Sequence, residues 1–175
     1  MFKILLILLL AGASGHSYAF GVGAGLAAVD DMSDGAQPAA VFQLAWTNTT
    51  FTQLYYWGRD FGPVTERQGM LTLGMRKTFP GMSFFAVRYG LVALVQKTSL
   101  YDNASSRNRE NAPAAETETN YNGGGVLGIG VPYALGPVRM ELNWDSHIFM
   151  VGGTGFIFLA SARRQTLGLT FGVEI

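Results

Sequence analysis

From Thr166 to Ile175 the chain alternates without a break: Leu167, Leu169, Phe171, Val173 and Ile175 share one parity, and Thr166, Gly168, Thr170, Gly172 and Glu174 share the other. Strict period two sends successive side chains to opposite faces, so this is a strand with one oily face and one small, polar face. The oily row runs as far as Ile175. In water such a row needs a second layer over it, whereas in a membrane β-barrel it meets lipid directly. A lipid-facing barrel strand is the reading this pattern favours.

The alternation recurs along the chain. Segment 20–28 opposes Phe20, Val22, Ala24 and Leu26 to Gly21, Gly23 and Gly25, and segment 138–149 opposes Val138, Met140, Leu142 and Trp144 to Arg139, Glu141, Asn143 and Asp145. Comparable strands are expected at 40–47, 67–78, 83–97 and 122–134, with a last one descending to 175. Segment 51–59 is aromatic-rich, and which of its parities faces inward stays open. The connections alternate in character: 30–38 is a loop, 48–50 a tight turn, 60–63 a loop, Pro80-Gly81 a turn, 98–120 the longest polar stretch, Gly136-Pro137 a turn, and 150–155 a Gly-rich bend. Eight strands in this rhythm predict an all-β fold, a transmembrane up-and-down antiparallel β-barrel with both chain ends on the periplasmic side. The 23 glycines weaken a soluble sheet but suit a crowded, narrow lumen; a soluble β-sandwich is the competing architecture.

The chain opens with Lys3, an apolar run from Ile4 to Ala11, and Ser17-Tyr18-Ala19. These are the parts of a secretory signal peptide, and the run is too short for a spanning helix. Cleavage after Ala19 is expected, leaving 20–175 as the barrel domain. Lys+Arg and Asp+Glu balance at 12 each, which argues against a nucleic-acid binder. There is no cysteine, so disulfides, thiolate nucleophiles and cysteine metal sites are excluded. Outside the leader His147 is the lone histidine, which removes most metal-site designs; no metal or cofactor is expected.

Over 20–175 the pattern resembles the small eight-stranded bacterial outer-membrane barrels, the OmpA/OmpX-like class, with Ile175 where that class usually carries a terminal aromatic. The resemblance implies a bacterial outer-membrane location and a non-enzymatic role in envelope structure or in surface or lipid binding. Two alternatives stay open: a lipid A-modifying acyl hydrolase or transferase using His147, and a narrow passive pore. Outer-membrane lipid A deacylases are similar in size and topology and carry a His-x-Ser motif, but Phe149 stands at the Ser position here.

If the apolar parities face lipid, Arg76, Arg88, Arg139, Glu141, Asn143, Asp145 and Glu174 point into the lumen, where charges must pair. Asp145, Ser146 and His147 are the catalytic candidates, although Ser146 has the opposite parity and the expected place for His147 is the barrel rim. Arg59, Arg67, Lys97, Arg163 and Arg164, with Arg107 and Arg109 in the long loop, map to the outer end and are expected to form a lipid A contact belt. The partner expected is outer-membrane lipid, lipopolysaccharide in particular. A surface ligand could meet the 98–120 loop or the apolar hairpin 149–159. Two aromatic girdles are expected, Tyr55, Tyr56, Trp57 and Trp144 above, and Phe20, Trp46, Phe51, Phe79, Phe84, Tyr133 and Phe171 below.

Overall fold

The computed structural model describes residues 20–30, 35–79, 81–101, 116–150 and 160–174; the expected signal peptide, 1–19, lies outside them. The strands are β1 Gly21–Asp30, β2 Ala36–Ala45, β3 Thr50–Phe61, β4 Val64–Phe79, β5 Met82–Leu100, β6 Glu116–Leu135, β7 Val138–Met150 and β8 Ala160–Glu174. Each pairs antiparallel with the next, and β8 pairs with β1 from Gly21–Glu174 to Asp30–Gln165, closing a barrel. Closure lets each wall satisfy its neighbours' backbone groups, the condition for crossing lipid with strands.

The strands tilt, as closure requires. Ladder partners run from Arg76 to Arg88, Gly128, Asp145, Thr166 and Val29, climbing from near one end of β4 to the opposite end of β1. The strand ends that flank 46–49, 80–81 and 136–137 gather at one end, here the turn end, together with Gly21 and Glu174. The strand ends that flank 31–35, 62–63, 101–115 and 151–159 lie at the opposite, loop end.

Parity directs side chains as the last strand suggested. Leu167, Leu169, Phe171 and Val173 are exposed on the outer wall, as are Leu26, Phe42, Leu71, Leu91, Leu127 and Trp144. On the inward row of β8, Thr166 and Thr170 are buried, with Gly168 between them.

Two expected loops are shorter than the sequence suggested. The 60–63 loop is a turn at Gly62 and Pro63, with Gly62 at φ 50°, and β3 and β4 pair right up to it. The 98–120 stretch loses both flanks to strand, with Ser99 opposite Thr117 and Leu100 opposite Glu116. Thr117 and Thr119 suit a strand despite their polarity, because β-branching fits the pleat. On the loop-end side of Gly123, β6 has no β7 partner among the described residues, so β3 to β6 form a wall taller than the rest. Tyr101 N–H donates to the Pro63 carbonyl at 2.9 Å, tying the top of that wall together. Of the apolar stretch 149–159, β7 absorbs Phe149 and Met150, while 151–159 lie outside the described residues.

The structure gives β3 its direction. Phe51, Gln53, Tyr55 and Trp57 face the lumen, and Leu54 and Tyr56 face out. Phe51, Tyr55 and Trp57 therefore do not belong to the outer girdles. Tyr56, Trp144, Phe20, Trp46, Phe79, Tyr133 and Phe171 are exposed on the outer surface, and Phe84 is exposed at the turn end. Inside, the lumen is filled in layers. A polar layer lies toward the turn end. Above it Val29, Val41, Tyr55, Trp57, Met70, Val92, Leu94 and Phe149 form an apolar cluster.

Candidate functional site

The polar layer is built around Arg88, on the inward row of β5 and 0% exposed. Its Nη1 donates to Glu141 Oε1, its Nε to Asp145 Oδ1 at 2.9 Å, and its Nη2 to Asp145 Oδ2 at 3.1 Å and Gln53 Oε1 at 2.5 Å. The guanidinium also lies 4.2 Å from the centre of the Phe51 ring. A buried cation is tolerable only with such partners, because one left unpaired costs several kcal/mol, on the order of 3–5.

The layer extends outward from that hub. Arg76 Nη1 donates to Glu141 Oε2 at 2.8 Å, and its Nε to the Asn48 carbonyl at 2.8 Å. Gln43 Nε2 donates to Glu141 Oε2 at 3.4 Å, and Gln43 Oε1 accepts from Gln53 Nε2 at 2.6 Å and Thr170 Oγ1 at 3.3 Å. The Tyr55 hydroxyl donates to Gln53 Oε1 at 2.9 Å, and Asn143 Nδ2 to Asp145 Oδ2 at 2.8 Å. Room for this comes from β6: a Cβ on Gly128 would overlap Asp145 Oδ1, and one on Gly130 would stand 2.7 Å from Glu141 Oε1.

Of the expected lumen residues the structure thus brings together Arg76, Arg88, Glu141, Asn143 and Asp145. Arg139 sits lower, half-buried at the turn end, and the Glu174 side chain lies outside the described residues. Gln43, Gln53, Tyr55 and Thr170 complete the network and were not singled out from sequence. The signal for Gln43 was present, since it is opposed in parity to Phe42 and Leu44.

The catalytic candidates diverge. Asp145 is engaged by Arg88. Ser146 points outward, where its Oγ accepts from Arg163 Nε at 3.1 Å. His147 is not at the rim: it is 0% exposed inside the barrel, with Nε2 3.1 Å from Thr166 Oγ1 and its ring edge-on to Tyr55. The reason is length, since β7 runs past it and places Phe149 above. A nucleophile and its base need hydrogen-bond reach, and opposite faces of one strand deny it.

The basic residues of the outer end divide by parity. Arg67 and Lys97 face outward, exposed, as direct ladder partners; Arg67 Nη1 donates to Asp60 Oδ1 at 3.2 Å. Arg163 also faces out. Arg59 and Arg164 do not, which corrects their expected place in the belt. Arg59 Nε donates to Glu66 Oε2 at 2.5 Å. Arg164 is buried, donating to Gln68 Oε1 with its guanidinium 5.4 Å from the Trp57 ring centre. Their height along the barrel places them near the loop end, but odd positions of β3 and even positions of β8 face the lumen. Arg107 and Arg109 lie outside the described residues. Among the described residues no group of three or more His, Cys, Asp or Glu is placed to hold a metal ion.

The closed eight-strand topology is shared by several solved structures. A major outer membrane protein from Thermus thermophilus matches over 91% of this chain and 100% of that one, with 14% identity and a TM-score of 0.55. Ail, the attachment invasion locus protein of Yersinia pestis, matches over 90% and 97% of the two chains, with 9% identity and a TM-score of 0.52. Neisserial surface protein A matches over 93% and 100%, with 12% identity and a TM-score of 0.51. The fold is that of the small outer-membrane barrels. No family model and no curated sequence matches the chain, so the likeness lies in shape.

Proposed function

We infer that this chain is a non-enzymatic outer-membrane protein whose work is done at its loop end, in envelope structure and surface binding, with lipopolysaccharide as its lipid partner. The 1–19 leader directs export and is cleaved, and the turn end faces the periplasm. The observation that carries the reading is the Arg67–Lys97 pair. Like charges directly opposite on a ladder repel, and Asp60 offsets only part of that. An anionic phosphate beside them removes the rest, and Arg offers it a bidentate fork. Apolar wall lies directly beneath, with Val95 and Leu71 exposed. Such a step from oily wall to cations matches the step from acyl chains to phosphates. A second solved structure of Ail is a complex with the heparin analogue sucrose octasulfate, a polyanion, which fits the same class of surface ligand.

The filled lumen supports a protein that acts from its outside, because a narrow barrel packed with side chains conducts poorly. The test is thermal unfolding in detergent with and without lipopolysaccharide, since a ligand of the folded state raises the midpoint. The wild type should gain stability and an Arg67→Gln/Lys97→Gln variant should gain less. Equal gains would sink the phosphate contact. Discrete channel openings in planar bilayers would instead favour the pore.

A further inference from the structure

At the turn end the lumen opens into a cavity of about 430 Å³. Ligand pockets typically run from about 300 to 1,000 Å³. The underside of the polar layer, Glu141 and Gln43, borders it, and small residues such as Gly21, Gly23, Ala45 and Gly172 keep its sides thin. Arg76 and Arg139 also line it. Glu141 is the one carboxylate among these described lining residues, and both its oxygens are already bonded, by Arg88 and Arg76. With both oxygens engaged, Glu141 leaves the cavity lining donors to offer a solute rather than a free carboxylate among the described residues.

Arg76 is positioned by bonds that leave part of its fork over. Nε is fixed on the Asn48 carbonyl and Nη1 on Glu141, so the plane of the guanidinium is set. Nη2 has no acceptor among the described residues, and the side chain borders the cavity. A guanidinium pinned on two of its three nitrogens has little freedom left to lose, which favours binding at the third.

We propose that this vestibule binds a small anionic solute, one carrying a carboxylate or phosphate group, with Arg76 Nη2 as the principal donor. The site lies at the opposite end from the surface assigned to lipopolysaccharide and stands or falls separately from it.

The test is an amide and Arg Nε–H NMR titration of the purified barrel in detergent micelles. The probes are inorganic phosphate and dialanine, with carboxyl-amidated dialanine and sodium chloride at matched ionic strength as controls. Saturable shifts at millimolar probe are expected at Gly21, Gly23, Gly172 and Arg76, and none with the amidated dipeptide. Arg76→Gln should weaken binding tenfold or more. Ala45→Met, which fills the cavity and removes no charge, should abolish it, and Arg67→Gln at the far end should leave it unchanged. A response to one probe alone supports the site and identifies which head group it takes. Shifts equal to those in chloride or with the amidated control would overturn the proposal, as would full binding by Ala45→Met. If Arg76→Gln fails to fold, Ala45→Met decides.

Discussion

Two levels of the lumen are filled in opposite ways. Toward the turn end, Arg88, Arg76, Glu141, Asp145, Gln43 and Gln53 form a continuous hydrogen-bonded plate. Directly above it, Val29, Val41, Trp57, Met70, Val92, Leu94 and Phe149 pack like the interior of a soluble domain. The difference teaches that a narrow closed barrel can be filled either way. One layer relies on satisfied charge in a buried place, the other on close packing. They should therefore fail in different ways.

The largest effect belongs to the plate. Arg88→Met leaves Asp145 buried without its cation and Glu141 with Arg76 alone, and should cost about 3–5 kcal/mol in urea unfolding from detergent. Restoring apolar balance with Glu141→Gln and Asp145→Leu in the same chain should recover most of it; no recovery would mean that shape, not charge, sets the cost. Met70→Ala probes the other layer and should cost about 2–5 kcal/mol through the cavity it leaves. That loss should not depend on partners elsewhere, whereas Arg88 and Glu141 should show strong non-additivity in a double-mutant cycle. Between layer and lipid, Leu169→Arg should cost about 2–4 kcal/mol if it sits near the midplane, and Thr170→Ser, on the inner parity, well under half of that. Equal tolerance at the two positions would contradict the membrane orientation of β8. The smallest effect is Arg67→Gln, at a surface ion pair with Asp60, which should change stability by no more than about 1 kcal/mol and lose even that at high salt.

The two layers also explain what was legible in the sequence. Period two revealed strand number and direction wherever the inside is polar or small, as in the last strand and in 138–149. It failed at β3. There the lumen is apolar, so Tyr55 and Trp57 inside look like Tyr56 and Leu54 outside, and the contrast that assigns a face vanishes. Arg59 and Arg164 were misplaced for a related reason: their distance from the turn end was clear, but height does not say which way a side chain points. The charged members of the plate were readable one by one from parity, while its hub was not. That Arg88 collects both carboxylates depends on tilt, which brings β5 and β7 residues to one level across β6, and tilt leaves no mark in a single strand's pattern. The glycines of β6 were a usable sign, since Gly128 and Gly130 fall where Asp145 and Glu141 need space.

The tall wall formed by β3 to β6 has one more consequence. Above Gly123 the hairpin of β5 and β6 is held by its own ladder, from Leu94–Asn122 to Leu100–Glu116, and at about 3.4 Å per residue it adds on the order of 15–20 Å beyond the last β7 pair once tilt is allowed for. Its register is thus set below the connection 102–115 and does not depend on it. Sequence at that connection can therefore change in length and composition while the ladder beneath keeps its pairing.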